Sequence, residues 1–129
     1  MARRLISSGS PMEEPIGFSR AVRAGNIVSV SGTAPIAPDG STAAPGDVYA
    51  QTKRCLEIIA TAIEAAGGRL ENITRTRVML RDMSTWEEAA RAHRETFAAI
   101  RPATTFVEVS RFVRDDWLVE VEADCVIEE

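Results

Sequence analysis

Glu120 stands in a run where hydrophobic and acidic residues alternate, Val119-Glu120-Val121-Glu122-Ala123-Asp124. A carboxylate fixed on a strand can hold a water molecule or take a proton from it. The same pattern also describes a solvated strand face, and periodicity by itself favours that plainer account. Glu122 and Asp124 continue the row at intervals of about 7 Å, which converges poorly on a cation. His93, the single histidine, falls on an apolar helical stripe, where a core or interface imidazole with its nitrogens satisfied is simpler than catalysis. One histidine without a nucleophile motif makes no Ser-His-Asp arrangement. Cys55 and Cys125 sit far apart in periodic segments, which suits buried free thiols and a reducing compartment. Together with one histidine they provide no zinc site, so no metal and no cofactor is expected. Gly32 ends the run Ser29-Val30-Ser31, and a residue without a side chain there would let a ligand approach backbone N–H groups. No GxxxxGK[ST] pattern makes it a phosphate loop.

The elements that position these residues follow from periodicity. Residues 9–17 are turn-rich and irregular. Phe18 to Val22 and Ile27 to Ser31 are predicted as strands joined by Ala24-Gly25-Asn26, because Gly and Asn tolerate positive φ. The stretch from Pro35 to Pro45 is loop. Asp47 is the expected N-cap of a helix whose stripe runs through Val48, Thr52, Cys55, Ile59, Ile63 and Ala66 and which ends at Gly67-Gly68. Thr74 to Leu80 alternates, with Thr76, Val78 and Leu80 on one face and Arg75, Arg77 and Met79 on the other. Ser84-Thr85-Trp86-Glu87 has the form of a capping box. The second helix it opens carries Trp86, Ala89, Ala90, His93, Phe97 and Ile100 as its stripe and stops before Pro102. Thr104 to Val109 and Trp117 to Ile127 are the last strands, with Arg111 to Asp116 a charged turn between them. The order predicts an α+β sandwich, two helices on one face of a mixed sheet, with the other face solvated or covered by another subunit.

A chain of 129 residues makes one domain, residues 1–129, large enough to bury a core without disulfides. A formal charge of −4 gives no sign of the basic face that a nucleic-acid binder carries. Met1-Ala2-Arg3-Arg4 is basic, but no apolar segment follows it before Ser7-Ser8-Gly9-Ser10-Pro11, so no signal peptide and no membrane span is expected. The cytoplasm is the default location.

Four segments resemble the Rid family of imine/enamine deaminases, the YjgF-like proteins. Phe18-Ser19-Arg20-Ala21-Val22 resembles the family's aromatic-Ser-Gln-Ala-Val, and Gly25 to Gly32 is similar to its Gly-Asn-hydrophobic-Ser-Gly segment, followed by Pro35 and Asp39-Gly40. Val78 to Met83 resembles its strand ending in Asp-Met. Pro102 to Val109, with Val119 to Ala123, resembles its C-terminal signature. The resemblance implies a chorismate-mutase-like fold and a homotrimer with ligand clefts between neighbouring subunits. In the deaminase branch an arginine holds the carboxylate of a 2-imino or 2-enamino acid. A backbone Gly and a C-terminal-strand Glu assist water attack on the imine carbon, and a keto acid and ammonia leave.

Gly32 and Glu120 match that pattern, and Glu120 inherits the catalytic role. The arginine does not match, because the arginine of Pro-Ala-Arg is Thr104 here. Arg presents a permanently charged planar fork to both carboxylate oxygens, whereas Thr presents one hydroxyl. Phe18 replaces the common Tyr, Arg20 replaces Gln, Phe106 replaces a small residue and Val113 replaces Pro. The expected ligand-binding set is therefore Gly32, Thr104, Phe18, Phe106 and Arg20. Among Arg20, Arg77 and Arg101, Arg20 is the first candidate to offer a charge to the cleft. Three functions compete: an imine or enamine hydrolase of altered selectivity, a non-catalytic trimer binding a small metabolite, and a ribonuclease or translation inhibitor. The net charge argues against the last.

Overall fold

Period-two and period-3.6 patterns become six strands and three α-helices among residues 3–128, which the computed structural model describes. In order these are β1 (Arg3–Ile6), α1 (Glu13–Ile16), β2 (Ala21–Ala24), β3 (Ile27–Thr33), α2 (Val48–Ala65), β4 (Ile73–Leu80), α3 (Trp86–Phe97), β5 (Ala103–Glu108) and β6 (Val119–Val126). The strands form one sheet in the order β1-β2-β3-β6-β4-β5. Only β4 and β5 run parallel; every other neighbouring pair is antiparallel. This is the expected α+β arrangement, with α2 and α3 over one face of a mixed sheet.

Local chemistry accounts for most boundaries. Gly25, at φ 65°, takes the first position of the two-residue turn between β2 and β3, which a side chain would resist. Asp47 caps α2 as expected, its Oδ1 accepting the Ala50 N–H at 2.9 Å. Gly67, at φ 92°, closes that helix, and the Gly68 N–H returns to the Ile63 carbonyl at 2.9 Å. Arg4 and Arg23 donate to the last carbonyls of α2, those of Ala65 and Ala66, so two cations face the negative end of the helix.

Several expectations need correction. The capping box at Ser84 to Glu87 does not form. Asp82 Oδ1 instead accepts both the Ser84 N–H (2.9 Å) and the Ser84 hydroxyl (2.7 Å), winding residues 83–85 into a 3₁₀ turn from which α3 begins. The N-terminal edge strand β1 went unpredicted because Arg3-Arg4-Leu5-Ile6 does not alternate; only Ile6 is buried. Residues 9–17 include the single helical turn α1, and Phe18 lies in the connection before β2 rather than in a strand. The stripe of α3 is also narrower than predicted: Ala89, Ala92 and Phe97 are buried, while Trp86 is 46% exposed.

The core lies between the helices and the sheet. Val28, Val30, Val78, Leu80, Val119 and Val121 meet Cys55, Ile59, Ile63 and Phe97 there. Both cysteines are buried and free, as expected. A buried polar side chain links α2 to the start of β6. Gln51 on α2 is fully buried, its Nε2 donating to the Asp116 carbonyl and its Oε1 accepting the Leu118 N–H, both at 2.9 Å. It thereby fixes the chain as it enters β6. Gln51→Leu keeps the volume but leaves a donor and an acceptor unpaired, so a loss of about 1–3 kcal/mol is expected in urea unfolding. An unchanged midpoint would show that the latch carries no stability.

Candidate functional site

Val119 and Val121 are fully buried beneath the helices, so strand alternation turns Glu120 to the opposite, open face of the sheet. Opposite β6, strand β3 carries a bulge: Val30 pairs with Ala123 and Thr33 with Val121, so Ser31 and Gly32 together face Glu122. The extra residue brings the β3 backbone toward Glu120. A Cβ built on Gly32 would lie 3.1 Å from Glu120 Oε1, so the glycine leaves that carboxylate its place.

Arg20 fastens the bulge. Its Nη1 donates to the Gly32 carbonyl at 2.7 Å and to Thr33 Oγ1 at 2.9 Å, with the Ser31 carbonyl at 3.5 Å. Its guanidinium lies 5.4 Å from the centre of the Phe18 ring, and only 9% of the residue is exposed. Burial lowers the Arg20 pKa, while the charges of Glu13 and Glu120 oppose that fall. Burial likewise raises the Glu120 carboxyl above its ordinary range, against the pull of Arg20. The structure thus brings Phe18, Arg20, Gly32 and Glu120 together as one group, with a buried cation beside a partly desolvated carboxylate.

Thr104 and Phe106 form a second group elsewhere. They pair in register with Thr76 and Val78, both fully buried, and so face the helix side of the sheet at its β5 edge. The Thr104 hydroxyl lies 2.9 Å from that of Thr76, which in turn lies 2.8 Å from His93 Nε2 on α3. Phe106 meets Trp86 and His93 edge-on, at centroid distances of 6.4 and 6.3 Å. Burial depresses the His93 pKa, which favours the neutral ring. An open groove of about 470 Å³ adjoins this group, lined by His93, Arg94, Phe97, Ala98, Arg101 and Pro102.

The predicted residues therefore fall on two faces of the sheet, and within one chain the structure does not bring Thr104 to Glu120. Of the other arginines, Arg77 pairs with Glu122 on the open face, and Arg101 is exposed beside the groove. Asp124 lies near Arg75, at 3.9 Å. Among the described residues no cluster of His, Cys, Asp or Glu could hold a metal ion, and no helix is long and apolar enough to cross a membrane. Sequence reasoning missed Thr76 as a partner of Thr104. Its signal was a hydroxyl placed on the same strand face as Val78 and Leu80.

The Arg20–Glu120 coupling has a measurable sign. Arg20→Met removes the charge that holds the Glu120 pKa down while burial still raises it. The carboxyl titration of Glu120, followed by ¹³C NMR, is expected to move to higher pH. An unmoved midpoint would mean that the guanidinium does not act on this carboxylate.

Known proteins resemble the chain in sequence and in fold. A family model described as Endoribonuclease L-PSP matches residues 11–127. The chain is 36% identical over 118 residues to the 3-aminoacrylate deaminase RutC of Acinetobacter baylyi, covering 91% of each protein. It is 37% identical over 124 residues to a RutC family protein of Pyrococcus abyssi, covering 95% of this chain and 96% of the other. A crystal structure from Mycobacterium tuberculosis, of a member of the YjgF/YER057c/UK114 family, superposes with a TM-score of 0.88 at 40% identity, over 98% of this chain and all 100% of that one. Escherichia coli TdcF with bound serine gives 0.81 at 26% identity, over 97% and 94% of the two chains. Sequence and fold agree, and the chain belongs to the Rid (YjgF-like) family.

Proposed function

We propose that this protein is a homotrimer that binds a small imine or enamine in clefts between neighbouring chains and hydrolyses it to a carbonyl compound and ammonia. The observation that carries this is Glu120 lying against Gly32 with Arg20 behind them. A carboxylate with a raised pKa is a stronger base than a solvated one, and it stands where water could be held. Glu120 takes a proton from that water as its oxygen bonds to the imine carbon. That proton passes to the imine nitrogen to give the carbinolamine; its hydroxyl proton is then relayed through Glu120 to the same nitrogen, the C–N bond breaks, and ammonia leaves as the C=O bond forms. An enamine enters the same sequence after protonation at carbon gives the imine.

The separation of the two groups supports a site shared between chains. Thr104, Trp86 and the outer edge of β5 are open at one end of the sheet, whereas Glu120 and Gly32 lie on its other face. One chain's Thr104 and Phe106 would meet the next chain's Glu120, Gly32, Arg20 and Phe18. In this arrangement Arg20 supplies the positive charge, and the Thr104 side gives a hydroxyl in place of the usual arginine. That gives a cleft without an arginine at position 104. The family description names an endoribonuclease, but Arg77 and Arg75 on the open face stand against Glu122 and Asp124, which leaves little net charge for a phosphate backbone.

The name of the Acinetobacter relative makes 3-aminoacrylate the first substrate to try, with 2-iminopropanoate generated in situ beside it. The protein is expected to accelerate carbonyl release from at least one of them, and Glu120→Gln to lower kcat/KM by about 10²–10⁴-fold. Rates equal to the uncatalysed ones for both would contradict hydrolysis and leave the metabolite-binding trimer. Thr104→Arg adds a charge-assisted pair of about 1.5–3 kcal/mol, so KM for a carboxylate-bearing imine should fall about ten- to hundredfold.

A further inference from the structure

Thr76 is fully buried, and its one hydroxyl hydrogen has two neighbours, His93 Nε2 at 2.8 Å and Thr104 Oγ1 at 2.9 Å. It can donate to only one of them and must accept from the other. A third contact decides which. Thr104 Oγ1 lies 3.2 Å from the Pro102 carbonyl, which can only accept. If Thr104 sent its hydrogen inward to Thr76, two oxygen lone pairs would face each other at that distance. With the Thr104 hydrogen directed outward, Thr76 donates to Thr104, and His93 Nε2–H donates to Thr76. Each hydrogen along the chain His93 Nε2, Thr76 Oγ1, Thr104 Oγ1 then points to an acceptor.

We propose that His93 and Thr76 are positioning residues that fix Thr104 as a hydrogen-bond donor to the cleft, so that this side selects a ligand carrying an oxygen acceptor, a carbonyl or carboxylate. The proposal rests on the functional assignment above only in placing the ligand beside Thr104. At 3.2 Å the bond to Pro102 is at the long end for a hydroxyl donor, so the hydrogen can be shared with a ligand oxygen in a three-centre bond while still facing the carbonyl. The imidazole is held for this task. Its ring lies 4.5 Å from that of Phe97 and 6.3 Å from that of Phe106, between α3 and β5. The charged groups lining the same groove are Arg94 and Arg101, both cations, which favour an acceptor oxygen over a donor. A neutral imidazole has one N–H, so its tautomer decides the polarity of the whole relay.

The test uses the full chain and pyruvate as probe, so it needs no turnover. In wild-type protein, ¹⁵N NMR of His93 is expected to show a protonated Nε2 with a slowly exchanging hydrogen. Thr76→Ser should keep that signal and Thr76→Val should lose it. Pyruvate affinity should fall about three- to tenfold in Thr76→Val and in exposed Thr104→Val, with the double variant no weaker than the weaker single one, and Thr76→Ser should restore it. An Nδ1–H tautomer in the wild-type protein would overturn the proposal even if Thr76→Val failed to fold. Absence of pyruvate binding, or binding untouched by Thr76→Val, would overturn it as well. A protein that hydrolyses no imine yet shows these binding effects would lose the hydrolase assignment and keep this one.

Discussion

Strand β6 imposes the constraint on which the rest depends. Its period of two sends Val119, Val121, Ala123 and Cys125 into the core beneath the helices and Glu120, Glu122 and Asp124 to the other side. The strand is central, paired with both β3 and β4, so its register cannot slip without exposing the core to water. Glu120 is thus aimed by hydrophobic burial on the opposite face, and the rigidity of the core becomes positional accuracy at the carboxylate.

The bulge of β3 turns this placement into a candidate site. In a regular ladder one residue of β3 would stand opposite each residue of β6. The extra residue at Ser31-Gly32 brings backbone toward Glu120, and the missing side chain at Gly32 leaves room for the carboxylate. Arg20 ties the distortion down through the Gly32 carbonyl and Thr33. Two opposing effects then act on Glu120. Burial disfavours its charged form, and the nearby guanidinium favours it, with burial the larger. The outcome is a carboxylate more basic than one in water, held against a strand that has been bent to reach it.

Much of this was legible in the sequence, and for physical reasons. The helix cap at Asp47, the stop at Gly67 and the alternation of β6 depend on local chemistry, and each appeared as expected. Glu120, Gly32 and Arg20 were identified by resemblance, and the structure gathers them. What could not be read was pairing across the chain. The bulge exists only between two strands far apart in sequence, and the Thr104–Thr76–His93 chain joins β5, β4 and α3. The failed capping box has a local cause: Asp82, two residues before Ser84, accepts the Ser84 N–H that the Glu87 side chain would have taken. The short edge strand β1 carries too little periodicity to announce itself.

Strand alternation also dictates how a complete cleft can arise. Residues on opposite faces of one sheet, Thr104 at the edge and Glu120 near the centre, line one ligand only if two chains meet. Complementation between chains tests this most directly. Glu120→Gln chains and Thr104→Trp chains, each inactive alone, are mixed, unfolded and refolded together. If each cleft takes its two halves from different chains, some clefts in the mixed assemblies receive both intact halves, and imine hydrolysis returns. If the mixture assembles but stays as inactive as its components, the shared cleft is contradicted.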